Sequence, residues 1–141
     1  MKQLLLLSIV VVMMIGSMSC DAAQGKNGQT VKAITTQKVE VYYFHFTRRC
    51  VTCKTVEAES KRAVESLYPA QAKAGKINFK SINLDDDNSK AIAKKLDVGG
   101  QCLLVVSGSK KIDLTSEGFM YAISNPEKLK AVIKSAIDPF I

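Results

Sequence analysis

The chain has 141 residues, 47% of them hydrophobic, with no tryptophan and a formal net charge of +7. That length suits one ordinary domain with a removable or anchoring leader and one modest core. The basic balance does not point to nucleic acid, because the lysines are dispersed among acids and form no stripe flanked by aromatics. Lys94-Lys95 near Asp85-Asp86-Asp87 is typical of a solvated surface.

Residues 1–20 open with one basic residue, Lys2, continue through an apolar run over 4–15, and close on Gly16-Ser17-Met18-Ser19-Cys20. This pattern predicts a secretory signal, and its run is short for a bilayer span of about 20 apolar residues. Cys20, where the small residues end, resembles the processing site of a bacterial lipoprotein. The resemblance implies a signal peptide over 1–19, a lipid on Cys20 and an exported, membrane-anchored protein of the bacterial cell envelope. An ordinary cleaved signal is the alternative. Residues 21–38 are rich in Gly, Gln, Thr, Lys and Ala without hydrophobic period, and read as a flexible linker. Such a linker would hold a domain about 20–25 Å from its anchor.

The folded part is expected over 39–141. Residues 39–46 are β-branched and aromatic, with no charge after Glu40, and predict a buried central strand. After a short turn comes Cys50-Val51-Thr52-Cys53. A helix over 54–68 places Cys53, Val56, Ala63, Val64, Leu67 and Tyr68 on one face and Glu57, Glu59, Lys61, Arg62 and Glu65 on the others. Pro69 is expected to stop it. Residues 77–84 form a second strand. Asp85-Asp86-Asp87-Asn88 reads as the cap of a short helix through Leu96, since it lacks the glycine and distal glutamate of a calcium loop. Residues 102–106 are a fully apolar strand, 108–110 a turn and 111–115 an edge strand. Ser124-Asn125-Pro126-Glu127 predicts a capping box for a final helix that packs Leu129, Val132, Ile133, Ala136 and Ile137 and ends before Pro139. The order is β-α-β-α-β-β-α, an α/β sandwich with a central mixed sheet flanked by helices.

Cys-x-x-Cys between a buried strand and the first turn of a helix carries the chemistry. A helix N-terminus offers unpaired N–H groups and partial positive charge, which stabilise a thiolate, and only the thiolate attacks a disulfide. Cys50 is the expected nucleophile and Cys53 the resolving thiol, pointing inward. Arg48 and Arg49 are either plain surface charges or aids to the Cys50 thiolate that would shift the pair toward being an oxidant. His45, the single histidine, reads as a hydrogen-bonded core imidazole rather than a proton-transfer group.

With strand, Cys pair and element order together, residues 39–137 resemble the thioredoxin-like superfamily. The resemblance is carried by the strand before Cys50, the Cys-x-x-Cys-Lys segment, residues 76–85, and the passage from Ala93-Lys94-Lys95-Leu96 to Leu103-Leu104-Val105-Val106. The chain is also similar to thioredoxin-like proteins labelled as a nitrophenyl-compound nitroreductase subunit. No flavin or nicotinamide motif is present, so nitroreduction is not inferred and no cofactor is expected. The family typically has Trp before the first cysteine and Gly-Pro within the pair, where Arg49 and Val51-Thr52 stand. Phe44 stands where the family has a buried aspartate. Gln101 or Cys102 stands where it has a cis-proline that faces the pair. The latter alignment implies that Cys102 could be a third redox thiol, whereas its ordinary reading is a small buried hydrophobe.

Three functions compete. One is an exported thiol–disulfide oxidoreductase working with a disulfide or dithiol protein partner, a separate electron donor or acceptor, and the membrane through its lipid. The second is a metal-binding or relay domain with Cys50, Cys53 and Cys102 or His45 as soft ligands. The third is a structural disulfide on a subunit of a larger complex, although so short a loop contributes little entropically.

Overall fold

The computed structural model describes residues 37–141; the signal, the lipidation at Cys20 and nearly all of the linker lie outside the described residues. The strands are β1 (Val39–His45), β2 (Ile77–Asn83), β3 (Cys102–Ser107) and β4 (Lys110–Asp113). The helices are α1 (Val51–Leu67), α2 (Pro69–Lys73), α3 (Lys90–Lys95), α4 (Thr115–Tyr121) and α5 (Pro126–Ile137). The sheet order is β2-β1-β3-β4, with β2 parallel to β1 and the others antiparallel to their neighbours. The expected α/β, thioredoxin-like order is present, with α2 and α4 added to it.

Strand alternation divides the side chains of β1 between two cores. Val39, Val41 and Tyr43 join Val56, Ala63, Val64, Leu103, Val105, Leu129, Ile133 and Ile137 beneath α1 and α5. Tyr42 and Phe44 join Ala93 and Leu104 on the opposite face, with Ile92, Leu96 and Cys102 packed against them. Because β1 is covered on both faces and paired on both edges, its near-continuous apolar sequence is what the position demands.

Several local expectations are corrected. Pro69 follows the end of α1 but also opens α2 at its first turn, where its missing N–H costs nothing. The acidic turn does not cap α3 through a side chain: Ser89 is its N-cap, and the Asp85 carboxylate instead accepts the Thr47 N–H (2.7 Å). The edge strand ends at Asp113, because the Asp113 carboxylate takes the Thr115 N–H (2.8 Å) and turns the chain into α4. The cap of α5 is Asn125, which accepts the Lys128 N–H (3.1 Å), while the Ser124 hydroxyl donates back to the Met120 carbonyl (2.7 Å). Helix α4 was hidden by Gly118. A Cβ there would lie 3.1 Å from Val56 and 3.3 Å from Leu103, so glycine lets α4 lie close on α1 and β3.

Candidate redox site

The loop over 46–50 delivers Cys50 to the N-cap of α1, where its backbone is extended (φ −75°, ψ 173°) and its Sγ accepts the Cys53 N–H (3.4 Å). One turn of helix brings the Cys53 Sγ to 2.8 Å from that of Cys50. Both thiols are free; Cys50 is exposed and Cys53 buried. The first turn carries no acid that would oppose a negative charge. The Cys50 thiol is held below its ordinary value by the Cys53 thiol and backbone N–H, and further by the Thr52 hydroxyl and N–H. Negative charge therefore settles on the outer sulfur, with the inner thiol as its hydrogen-bond donor.

Beneath the pair lies Tyr43, which the sequence reading did not single out. Its hydroxyl donates to the Cys53 carbonyl (2.9 Å) and accepts from Gln101 Nε2 (2.6 Å). Burial first, and then the neighbouring Cys53, push the Tyr43 phenol upward, so it stays protonated as a donor. Of the two residues aligned with the family proline, Gln101 thus reaches the site through Tyr43. Cys102 does not. It pairs with Phe44 in register and packs on the α3 side of the sheet, away from α1. Phe44 likewise faces α3, so the place where an aspartate was sought beneath the pair belongs to its neighbour Tyr43. Strand alternation was the available signal, because Tyr43 shares a face with Val39 and Val41.

Arg48 is exposed and makes no ion pair among the described residues. Arg49 turns inward and its guanidinium bonds the Glu57 carboxylate, both side chains being only 20% and 23% exposed. Glu57, read from the sequence as a surface acid, follows Cys53 by one helical turn and holds the Arg49 guanidinium. His45 is 8% exposed. Its Nδ1 donates to the Phe46 carbonyl (3.0 Å) and its Nε2 lies 2.9 Å from the Ser81 hydroxyl, so both ring nitrogens are engaged. Among the described residues no three His, Cys, Asp or Glu side chains converge as metal ligands. The ligand set that would add Cys102 is split by the sheet.

No family model matches the chain, and no curated protein matches it. Among solved structures it is similar to oxidised mitochondrial thioredoxin 3 from Saccharomyces cerevisiae, at 22% identity and a TM-score of 0.43, over 72% of this chain and 82% of that one. The fold class defined by the strand order and the helix-capping Cys pair is thioredoxin-like.

Proposed function

We propose that this chain is a thiol–disulfide oxidoreductase acting through Cys50 and Cys53. The observation that carries the reading is the exposed, helix-capping Cys50 with the buried Cys53 thiol 2.8 Å behind it. The Cys50 thiolate attacks one sulfur of a partner disulfide, forming a mixed disulfide and releasing the other sulfur as a thiolate. Cys53 then gives up its proton and attacks the Cys50 sulfur, which expels the partner's second thiolate. The partner gains two electrons and the chain is left with a Cys50–Cys53 disulfide, which a separate dithiol donor reduces; run in reverse, the same steps oxidise a dithiol partner. The leader and Cys20 support an exported, lipid-anchored protein of the cell envelope, where disulfide exchange has substrates.

The reduction potential decides the enzyme reading. The full chain, equilibrated in graded glutathione buffers and counted for free thiols by mass, is expected to show a reversible two-electron transition between about −120 and −270 mV. Resistance to reduction below about −300 mV would make the pair a structural staple instead. For the anchor, Cys20→Ala is expected to move the protein from the membrane fraction to the soluble one. Unchanged fractionation, with no lipid mass on the mature N-terminus, would remove the anchor from the proposal.

A further inference from the structure

Two arginines precede Cys50, and an unpaired guanidinium beside a thiolate stabilises it. The structure treats the two differently. Arg48 is exposed at the rim, whereas Arg49 folds inward onto Glu57, and the pair lies along the first turns of α1. Glu57 follows Cys53, whose carbonyl accepts the Tyr43 hydroxyl, by one helical turn, so the ion pair ties the residue next to Cys50 to the turn of α1 beyond Cys53. The groups that hold the Cys50 thiol down are its neighbours Cys53 and Thr52.

We propose that Glu57 is a tuning residue for the dithiol: by binding Arg49 it cancels that charge beside Cys50, leaving the helix N-terminus and Cys53 to set the stability of the thiolate. Two adjacent arginines would otherwise make the pair a stronger oxidant, since stabilising the reduced form raises its potential. Glu57 does this without touching the reacting sulfur. The inference rests on Cys50 being the reactive thiol of the proposed oxidoreductase.

The other groups around Cys50 are fixed background for the test. Arg48 belongs to its own loop, with Asp85 held against that loop through Thr47. Tyr43 and His45 come from β1, and Lys54 from α1. Glu117 and Tyr121 are the titratable groups of α4, which meets α1 at Val56. Glu127 and Lys130 of α5 lie by Glu59 and Arg62, further along α1.

The experiment is the pH profile of iodoacetamide alkylation at Cys50, read by peptide mass on the reduced full chain, with the glutathione potential measured alongside. Glu57→Gln frees Arg49, so alkylation below the midpoint is expected to rise about threefold, the midpoint to fall and the potential to become less negative. Arg49→Gln leaves Glu57 unpaired, so its midpoint moves the opposite way. The double variant returns to the wild-type midpoint and Arg49→Lys stays near it. Shifts of the same sign in both single variants would reveal a mere structural brace and overturn the proposal, as would no shift in Glu57→Gln. Urea midpoints identify any variant that fails to fold, in which case Arg49→Lys against Arg49→Gln decides the sign alone. Alkylation needs only a thiol, so a wild-type pair without a reversible redox transition would sink the oxidoreductase reading while this profile still judges Glu57.

Discussion

The Ser60 hydroxyl is buried on α1 with no hydrogen-bond partner among the described residues. A buried hydroxyl without a partner costs about 1–3 kcal/mol in lost hydration, and alanine is also the better helix former. Ser60→Ala is therefore expected to raise stability by about 1 kcal/mol, seen as a higher urea midpoint at unchanged slope. A lower midpoint would mean that the hydroxyl has a partner. From the sequence, Ser60 gave no sign of being inside, since it interrupts the apolar spacing of Val56, Ala63 and Val64. Glu57 and Tyr43 were opaque for a related reason. Their roles come from Arg49 folding back onto α1 and Gln101 arriving from the loop that leads into β3, and neither adjacency is written in local periodicity. Cys50 and Cys53 were legible because their chemistry depends on local placement, a helix start just after an apolar strand.

Helix α3 ends in a Schellman arrangement. The Val98 N–H donates to the Ala93 carbonyl (2.8 Å) and the Asp97 N–H to that of Lys94 (3.2 Å), with Asp97 at φ 53°. Glycine adopts that left-handed conformation without the Cβ penalty. Asp97→Gly is expected to stabilise the protein by about 0.5 kcal/mol, measured as a rise in thermal midpoint. A fall would show that the Asp97 side chain holds the turn in a way its backbone does not require. The long elements α1, α5, β1 and β3 were readable because each buries a regular stripe. Helix α4 was not, because its seven residues are centred on a glycine chosen for close approach. The edge strand was overextended because Thr115 is β-branched, whereas the turn at Asp113 decides its fate through hydrogen bonds.

Among the described residues, most ion pairs are short-range pairs on helix surfaces, such as Lys61–Glu65, Arg62–Glu59 and Lys134–Asp138. Exposed pairs of this kind contribute little each. Glu40 differs, because it joins β1 to β2 through Lys80 (2.7 Å) and also takes the Tyr42 hydroxyl. Burial alone would raise the Glu40 carboxyl, but hydrogen bonds from Lys80, Tyr42 and Lys38 outweigh it and draw it down to about 2. Its folded value is thus below its unfolded one, so this contribution is whole above the ordinary glutamate range and is lost as pH falls toward about 2. Glu40→Gln is expected to cost about 1 kcal/mol at neutral pH and to flatten the acid limb of the stability curve below about pH 4.5. Equal slopes in the two proteins would mean that the network adds nothing to folding.

Cys102 sits on the far side of the sheet from the pair, and burial followed by the nearby Asp113 carboxylate pushes its thiol up to about 11. It is therefore protonated at neutral pH and slow to exchange. Replacing Cys53 by serine would leave a domain with one competent sulfur, unable to release whatever it captures. Used in whole cells, such a bait would put the proposed exchange to the test, since any covalent adduct on the domain would be expected at Cys50 and not at the protonated Cys102.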